Sequence, residues 1–479
     1  MTPLAVRRFD AADQEAFADL SGDRNPLHLD ELAARRSLFG ERVVHGLHVV
    51  LWAVDAYLAS RSPDRPGLEG VTVNFAKPVF LGDEVQARVA KETAELARLR
   101  VEVDGVLLVD IRLALGASPR PVAPPRPAAD GVGPEPAGGA AVERTLDDLA
   151  GLAGELAVGP VAAGPRFPAL AEAVGDAVVA RLVALTRLVG MECPGLHSLF
   201  AGFEVRVEPG TGPGPLRWAV ARVDDRYGAV AIDVDAGCLA GEVRAFMRPA
   251  PARQLGAAAL AGLDLGLGGL DDVRALVVGG SRGLGELAAK LLAAGGAEVV
   301  LTWHRGRADA LRVVEDIIAS GGRARAVQLD VGDPEPALQA LAGDGFVVSH
   351  LYYFSSPRIF ARRTRLFHHE LLEGFLHHYV TGFVRSIEAA RRAGAEPLVA
   401  YYPSSVAVDE QLPELTEYIV AKVAGERAAE VLGAQEPWLE TIVQRLPRLP
   451  TDQTATIGAV AAADPVRIMA DMVRRSTTG

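Results

Sequence analysis

The chain has 479 residues, of which 49% are apolar and 23% are charged, a composition that suits a folded protein of about three domains. Its 49 basic and 61 acidic residues give a net charge of −12, and no cluster of Lys and Arg supplies the basic surface that nucleic-acid binding needs. Cys193 and Cys238 cannot build a disulfide framework or a Cys-rich metal site, so we expect neither a nucleic-acid partner nor a metal.

No secretory signal is expected at the start of the chain, because the sequence MTPLAVRRFDAADQE becomes acidic before an apolar segment can form. The rest of the chain has no uninterrupted apolar run of about 18–20 residues, the length that crosses a bilayer. We therefore predict a cytoplasmic protein that does not contact a membrane.

Two segments have the composition of linkers and divide the chain into three blocks. Residues 117–141 contain 18 Ala, Pro or Gly among 25 positions, which is too little apolar surface to fold alone. Residues 249–269 form a second seam, rich in Ala and Gly. The predicted blocks are therefore 1–116, 142–248 and 270–479.

The first block predicts one long helix followed by several strands. An apolar helical pattern runs from His45 to Ser60, and apolar and polar residues alternate from Val71 to Phe75 as they do in a strand. A turn at Asp104-Gly105 precedes a further apolar strand, VLLVDIRLAL. This order fits an antiparallel sheet that packs on a single helix.

The second block repeats this order, which predicts an internal repeat. An apolar helical stretch from Leu170 to Val189 is followed by an alternating strand from Phe203 to Val207. The sequence PGLH at 194–197 echoes HGLH at 45–48, and each lies shortly before the strands.

The third block alternates strands with helical segments, the pattern of a doubly wound α/β parallel sheet. The predicted strands are RALVVGG, AEVVLTW, ARAVQLD, FVVSHLYYF, PLVAYYP and LETIVQRL.

Asp23, Asn25 and His28 form a first candidate site, in which Pro26 fixes the turn between them. Asp and Asn beside a proline are common in turns and helix caps, so the motif alone leaves turn chemistry open as the simpler explanation. A carboxylate and an imidazole held side by side can also move protons at two atoms of one substrate.

The string FADLSGDRNPLHLDELAARRSLFGERVVHGLH, continued by VNFAKPVFLGDEV at 73–85, resembles the MaoC-like, R-specific enoyl hydratase/dehydratase family, which has the α+β hotdog fold. The resemblance implies that Asp23 and His28 are the catalytic pair and that Asn25 positions one of them or the water. Gly46, at the start of the apolar helix, is placed to offer its backbone N–H to the thioester oxygen.

No counterpart of this cluster is found in the second block. The resemblance therefore implies a second, degenerate hotdog unit that supplies walls of an acyl tunnel, with a helix start preserved at Gly195, Leu196 and His197. We expect structural roles for His197 and for the two histidines of the first block, His45 and His48.

A second candidate site begins with Gly279, Gly283 and Gly285, which come directly after the strand RALVVG and open a helix. In that context the glycines allow backbone N–H groups and a helix N-terminus to face a pyrophosphate. The end of the next strand carries no acid to bind a ribose hydroxyl group, and Arg282 and Arg305 can meet a 2′-phosphate instead. NADPH is therefore favoured over NADH.

Tyr418 and Lys422 lie one helical turn apart on one helix face, and Ser405 lies thirteen residues before Tyr418 at a predicted strand end. A lysine beside a tyrosine lowers the pKa of the phenol, which can then exchange a proton with a substrate oxygen. Taken alone, the Tyr/Lys pair is better explained as the exposed face of an amphipathic helix.

Together, VGGSRGLG, PSSVA and YxxxK at these spacings resemble the short-chain dehydrogenase/reductase family over about residues 270–479. The resemblance implies that Ser405, Tyr418 and Lys422 are catalytic. It also implies a cofactor site formed by Gly279, Ser281, Arg282, Gly283, Leu284, Gly285, Arg305, Asp330, Val331, Tyr418 and Lys422.

The third block departs from that family at three places. Its Asn-Asn-Ala-Gly motif after the fourth strand is replaced by YYFSSP at Tyr352–Pro357, and the Asn of the following helix is replaced by Tyr379. The Pro-Gly after the sixth strand becomes LPRLPT. The missing Asn interrupts the family's proton relay, which leaves turnover by this domain open.

The leading hypothesis is a bifunctional enzyme. An NADPH-dependent reductase would convert a 3-oxoacyl thioester to its 3-hydroxyacyl form, and the hotdog site would then remove water to give the 2-enoyl thioester. By family analogy the acyl group is carried by an acyl carrier protein in fatty-acid or polyketide-type biosynthesis. Two alternatives stay open: a dehydratase with an impaired NADPH-binding reductase-like domain, and a non-catalytic acyl-carrier scaffold. Both families usually self-associate, so a homo-oligomer is compatible with each hypothesis.

Overall fold

The computed structural model describes residues 2–61, 67–116, 139–159, 165–207, 214–250, 253–359, 367–410, 412–454 and 463–477. The chain divides between residues 250 and 251 into two compact units. Most of the predicted linker at 117–141 lies outside the described residues. Within the described ranges, no helix combines the length and the apolar composition needed to cross a membrane.

The first half of the N-terminal unit contains a short strand, four helices and four longer strands. Its elements are β1 Ala5–Arg8, α1 Ala11–Ser21, α2 Pro26–Leu29, α3 Glu31–Arg35, α4 Gly46–Ala59, β2 Leu68–Phe75, β3 Glu84–Glu92, β4 Leu96–Val103 and β5 Val106–Leu115. The helix predicted at 45–60 is α4, which is apolar on most sides and therefore lies in the core. The predicted turn is also present, since Asp104 and Gly105 both have positive φ, as a two-residue hairpin requires.

The second half again places helices before four longer strands. Its elements are β6 Ala153–Leu156, α5 Pro168–Val174, α6 Asp176–Arg187, a π-helical turn at Leu188–Glu192, β7 Ser198–Val207, β8 Leu216–Asp224, β9 Ala229–Asp235 and β10 Leu239–Met247. The helical stretch predicted from Leu170 to Val189 is interrupted at Gly175, whose φ of +84° favours glycine and ends α5.

One ten-stranded sheet runs through both halves in the order β1-β3-β4-β5-β2-β7-β10-β9-β8-β6. This order is symmetric about the antiparallel β2–β7 pair, in which Val73 lies opposite Phe203. In each half, the short first strand pairs with the second of the four longer strands. The halves share a single hydrophobic core, to which α4 contributes Val50 and α6 contributes Val179.

The echo between HGLH and PGLH does not mark equivalent positions in the two halves. His45 directly precedes α4, whereas residues 194–197 follow α6 and the π-helical turn and lead into β7. The predicted helix start at Gly195, Leu196 and His197 is therefore wrong. A four-residue similarity of this kind arises as easily before a strand as before a helix, because glycine ends helices and opens turns alike.

The C-terminal unit is an α/β fold. Its elements are α7 Ala257–Ala261, β11 Arg274–Val278, α8 Gly283–Ala294, β12 Glu298–Trp303, α9 Arg307–Ala319, β13 Arg323–Gln328, α10 Glu335–Gly343, β14 His350–Tyr353, α11 His369–Leu376, a π-helical turn at His377–Gly382, α12 Phe383–Arg392, β15 Leu398–Ser405, α13 Ala407–Glu410, α14 Thr416–Gln435, β16 Leu439–Leu446 and α15 Pro465–Thr477. The six strands are parallel in the order β13-β12-β11-β14-β15-β16, which confirms the predicted doubly wound sheet.

Part of the linker predicted at 249–269 is folded. It contains α7, whose Ala257 and Leu260 are buried in the core of the C-terminal unit. Asp316 of α9 accepts a hydrogen bond from the Ala257 N–H at 3.1 Å and forms an ion pair with Lys290 at 2.8 Å. The Ala-rich sequence suggested a linker because Ala offers little apolar surface, yet these contacts are enough to dock a short helix.

Candidate active sites

The turn between α1 and α2 places Asp23 and Asn25 in the interior of the N-terminal unit. The Asn25 side-chain oxygen accepts a hydrogen bond from the Leu27 N–H at 3.0 Å and caps α2, in which Pro26 is the first residue. Asp23 Oδ1 accepts from the Asn25 N–H at 3.1 Å. Both side chains are almost completely buried. Turn chemistry and the candidate site therefore use the same residues and do not exclude each other.

The second half of the unit holds the Asp23 carboxylate. Thr186, in the last turn of α6, donates a hydrogen bond from its hydroxyl to Asp23 Oδ2 at 2.7 Å. Gly190 lies against the same carboxylate, since a Cβ there would be 2.5 Å from Oδ1. The Asn25 side-chain amide donates to the Gly190 carbonyl oxygen at 2.8 Å. The site is thus built from both halves of the unit.

Two imidazoles lie beside this carboxylate. His28 Nδ1 donates to the Val43 carbonyl oxygen at 2.8 Å, which leaves Nε2 as an acceptor. The His28 ring stacks on His45 with the centroids 3.9 Å apart, and His45 Nε2 lies 4.0 Å from Asp23 Oδ2. The His45 ring is fixed by Gln14 Oε1 at 2.8 Å from Nδ1 and by the Asp23 carbonyl oxygen at 3.0 Å from Nε2.

Burial brings the proton affinities of Asp23 and His28 closer together. It raises the pKa of Asp23, while His28 and the Thr186 hydroxyl act in the opposite direction. It lowers the pKa of His28, an effect that Asp23 opposes. A carboxyl group with a raised pKa beside an imidazole with a lowered pKa is an arrangement suited to proton exchange near neutral pH.

The same cluster has the compactness of a metal site. Among the described residues, the ligand atoms of Asp23, His28 and His45 lie within 4.8 Å of one another. Both ring nitrogens of His45 already contact oxygen atoms, so this residue does not offer a nitrogen to a metal without losing those contacts. The donor set fits proton transfer better than metal coordination.

A cavity of about 270 Å³ is lined by Asp23, Asn25 and His28. Gly46, the first residue of α4, lies in the same wall, and the Phe75 ring packs on it so closely that a Cβ there would be 2.8 Å from the ring. An apolar cavity with a few polar groups in one place is the usual form of a small-molecule site. Both halves contribute apolar side chains, among them Phe39, Phe75, Val189, Leu199, Phe200 and Phe246.

The structure brings the predicted residues of the first site together and adds His45, Thr186 and Gly190. We expected a structural role for His45, although its position directly before Gly46 indicated that it would be near the site. Thr186 and Gly190 carry no comparable signal, because threonine and glycine are common at helix ends for unrelated reasons.

The other two histidines have contacts typical of structural residues. His48 stacks on Phe17 with the ring centroids 4.5 Å apart, and burial lowers its pKa to about 3. His197 Nε2 lies 3.0 Å from Glu143 Oε1. His197 does not belong to the described residues that line the cavity.

The glycine-rich turn between β11 and α8 has a tight inner side and an open outer side. Gly279 has a φ of +80°, and a Cβ there would be 2.9 Å from the Phe354 backbone. A Cβ at Gly285 would overlap the Gly279 carbonyl oxygen, whereas one at Gly283, where α8 begins, would meet no atom within 4 Å. This shape fits a pyrophosphate group at the helix N-terminus.

The remaining predicted cofactor residues lie at the carboxyl ends of β11, β12 and β13, where doubly wound sheets bind their ligands. They are Ser281, Arg282, Leu284, Arg305, Asp330 and Val331. The Arg282 guanidinium lies 3.4 Å from Asp452, which follows β16, so a 2′-phosphate that met Arg282 would share it with this carboxylate.

Ser405 ends β15, and Tyr418 and Lys422 lie on α14. The Ser405 and Tyr418 hydroxyls share a hydrogen bond, and burial raises the pKa of Tyr418 to about 12. Lys422 Nζ donates to the Pro403 carbonyl oxygen at 2.7 Å and lies 5.9 Å from the centre of the Tyr418 ring. Burial lowers the pKa of Lys422 to about 7, an effect that Glu426 opposes. The three predicted residues therefore lie together.

Tyr379 lies where the resemblance expects an Asn. It belongs to the π-helical turn between α11 and α12, and Lys422 Nζ lies 4.0 Å from the centre of its ring. Its hydroxyl is 2.7 Å from the Ser356 hydroxyl. The lysine is therefore faced by an aromatic ring, a cation–π contact, in place of a polar amide.

Comparison with known proteins separates the two parts of the chain. Residues 2–109 match the MaoC like domain, and residues 274–343 match the short chain dehydrogenase family. Over 98 residues the chain is 40% identical to a 3-hydroxybutyryl-CoA dehydratase of Methylorubrum extorquens, and the aligned region covers 20% of this chain and 60% of that protein. Over 84 residues it is 40% identical to an (R)-specific enoyl-CoA hydratase of Aeromonas caviae, and the aligned region covers 17% of this chain and 62% of that protein.

An uncharacterized oxidoreductase of Methylorubrum extorquens is 32% identical over 158 residues, which is 31% of this chain and 61% of that protein. In each of these three comparisons the chain spans about 60% of the length of the relative.

Proposed function

We propose that this chain, which carries a MaoC-like dehydratase domain at its N-terminus and a short-chain dehydrogenase domain at its C-terminus, acts twice on one 3-oxoacyl thioester. The C-terminal site reduces the 3-oxo group to a hydroxyl group. The N-terminal site then removes water and leaves the 2-enoyl thioester. The observation that carries the proposal is the pairing of the buried Asp23 carboxylate with His28 in the wall of an apolar cavity.

Dehydration requires one proton to leave the α carbon and one to reach the departing 3-hydroxyl group. Asp23 and His28 in the cavity wall can make this exchange, and burial moves the pKa of each toward that of the other. Charge that develops on the thioester oxygen is stabilised by the Gly46 N–H at the start of α4. Asn25 keeps the turn in place through its contact with Gly190.

The short-chain dehydrogenase domain supports a nicotinamide cofactor, and we favour NADPH because Arg282 and Arg305 follow β11 and β12 without an acid at the end of β12. When bound at the glycine-rich turn, the cofactor would supply the hydride for the 3-oxo carbon. Tyr418 gives its hydroxyl proton to the 3-oxo oxygen, and Ser405 donates a hydrogen bond to the same atom. The Lys422 ammonium stabilises the phenolate that remains.

We further propose that the acyl group is carried by an acyl carrier protein, in fatty-acid or polyketide-type biosynthesis. Support comes from the succession of the two reactions on one carbon, which gives a reason to join the two domains in one chain. The second half of the N-terminal unit is interpreted as a degenerate hotdog unit, an interpretation supported by the symmetric strand order.

A second candidate function is dehydration alone, with a cofactor-binding domain that does not turn over. The contacts of Lys422 favour it, because Nζ donates to the Pro403 carbonyl oxygen and faces the Tyr379 ring. In that arrangement the lysine contributes less to lowering the pKa of Tyr418.

The experiment that tests the proposal is mass spectrometry of a short 3-oxoacyl thioester incubated with the full chain and NADPH. Both a carrier-protein thioester and a CoA thioester are supplied. A gain of two hydrogens followed by the loss of water supports the bifunctional enzyme. Conversion of only a supplied 3-hydroxyacyl thioester supports the dehydratase alone, and no conversion of either overturns both.

A further inference from the structure

We propose that Thr186 and Gly190, in the second half of the N-terminal unit, form a seat that fixes the Asp23 carboxylate for catalysis in the first half. The inference rests on the proposed dehydratase function of Asp23. Both are positioning residues, because they act through that carboxylate. The half without a catalytic pair of its own is then part of the dehydration machinery as well as a wall of the cavity.

The Thr186 hydroxyl makes an unusual choice of partner for its place in a helix. A threonine within a helix commonly bonds back to the carbonyl oxygen one turn earlier. Here the hydroxyl donates at 2.7 Å to Asp23 Oδ2, whose residue lies 163 positions away in sequence. Both side chains are buried, at 4% and 1% exposure, although both also line the cavity.

Gly190 supplies the space that the carboxylate occupies. A Cβ at this position would lie 2.5 Å from Oδ1 of Asp23 and 2.8 Å from both Cγ and Oδ2. Alanine would therefore push the carboxylate away. The residue lies in a π-helical turn, a local form that occurs often at functional sites, and its carbonyl oxygen holds the Asn25 amide.

Other charged or titratable groups near the carboxylate come from several elements. His28 of α2 and His45, directly before α4, face it from the first half. From the second half, Arg187 of α6 packs beside Gly22, and Arg248, directly after β10, lowers the pKa of His28. His45 Nε2 is 4.0 Å from the nearer carboxylate oxygen, so the threonine hydroxyl makes the closer contact.

A hydrogen bond donated to a carboxylate favours the ionised form. The Thr186 hydroxyl therefore lowers the pKa of Asp23 against the opposite effect of burial. Without this donor, the group would remain protonated to a higher pH.

The first test follows the titration of Asp23 directly and needs no substrate. The full chain is labelled with [γ-¹³C]aspartate, and the Asp23 resonance is assigned from its loss in Asp23→Asn. Thr186→Val should raise the midpoint by about one pH unit, the size expected for one hydrogen bond, whereas Thr186→Ser keeps the hydroxyl and the wild-type midpoint. Thr72→Val in β2 is the matched control. An unchanged midpoint in Thr186→Val would overturn the seat.

The second test follows dehydration of a 3-hydroxyacyl thioester as a function of pH. Thr186→Val should move the acidic limb of kcat/KM upward by the same shift, and Thr186→Ser should restore it. Gly190→Ala should lower kcat at least tenfold, whereas Gly139→Ala, where a Cβ meets no atom within 4 Å, should leave it unchanged. A wild-type chain without this activity would remove the proposed function, while the titration would still decide the seat.

Discussion

The two candidate sites differ in how much of the chain is needed to build them. Ser405, Tyr418 and Lys422 come from one strand and a helix that follows it. Asp23 and His28 lie within six residues of each other, yet the Asp23 carboxylate is held by a residue 163 positions further along the sequence. The C-terminal cluster therefore assembles within one local unit, whereas the N-terminal cluster depends on two halves that meet at the β2–β7 pair.

The sites also differ in what opposes the effect of burial. In the N-terminal site the carboxylate and the imidazole each favour the charged form of the other. In the C-terminal site the nearest surroundings of Lys422 are the Pro403 carbonyl oxygen and aromatic rings, and Glu426 is the charged group that favours its ammonium form. Because Lys422 has less electrostatic stabilisation of its charged form than the Asp23–His28 pair, we expect the rate of reduction to depend more strongly on pH than the rate of dehydration.

Asp23→Asn should have the largest effect, because it removes one member of the acid–base pair. Dehydration should fall by about 10²–10⁴-fold, while NADPH-dependent reduction keeps its rate, so mass spectrometry should show accumulated 3-hydroxyacyl thioester. The pKa of Asp23 is raised in the folded state, so ionisation of this carboxyl group destabilises the folded state as the pH rises through its titration range. The side-chain amide of Asp23→Asn does not ionise, and this variant should therefore not have a lower melting temperature at neutral pH. Equal loss of both reactions would contradict separate sites.

Tyr418→Phe tests the comparison from the other side. Removal of the phenolic hydroxyl should lower NADPH oxidation by at least about 10²-fold and leave dehydration of a supplied 3-hydroxyacyl thioester unchanged. Tyr227→Phe, at a half-exposed position, is the matched control. Retained reduction in Tyr418→Phe would support the dehydratase-only function.

The pH dependence of reduction should follow the ionisation of Lys422. Its pKa of about 7 means that the ammonium is lost above neutrality, so the rate of NADPH oxidation should fall about tenfold for each pH unit above about 7. Glu426→Gln removes the charge that raises this pKa and should move the fall to lower pH. A rate that is flat up to pH 9 would show that the lysine does not assist Tyr418.

His197→Ala should have the smallest effect, less than about threefold on either reaction. The histidine contacts Glu143, whose side chain is 63% exposed, and such partly exposed pairs contribute little. Glu143→Gln should behave in the same way. A collapse of dehydration in a variant that keeps its melting temperature would mean that His197 acts in the site.

Elements with strong local patterns could be predicted from the sequence. The apolar period of α4 and the strand–helix alternation of the third block each follow from residues close together in the chain. Asp23, Asn25 and His28 could be found for the same reason, since all three lie within six residues of the chain.

The remaining features depend on contacts that form only after folding. Thr186 and Gly190 acquire their importance when β2 pairs with β7 and brings the end of α6 to the Asp23 carboxylate. The docking of α7 depends on Asp316 of α9, which lies 59 positions after Ala257. The echo at 194–197 was misleading because four residues do not fix a position in the fold.

The joining of both halves in one polypeptide has a consequence for stoichiometry. In the first half, residues 22–45 lie between α1 and α4 and include the catalytic pair, Asp23 and His28. In the second half, Gly175 alone separates α5 from α6, so no such segment is present between these two helices. Two identical subunits in such an arrangement would carry two equal cavities, and every substitution would alter both. Here active-site titration of the N-terminal unit should count one acyl group per chain. A substitution in the second half alters this one cavity and leaves no second, equivalent cavity to be changed with it.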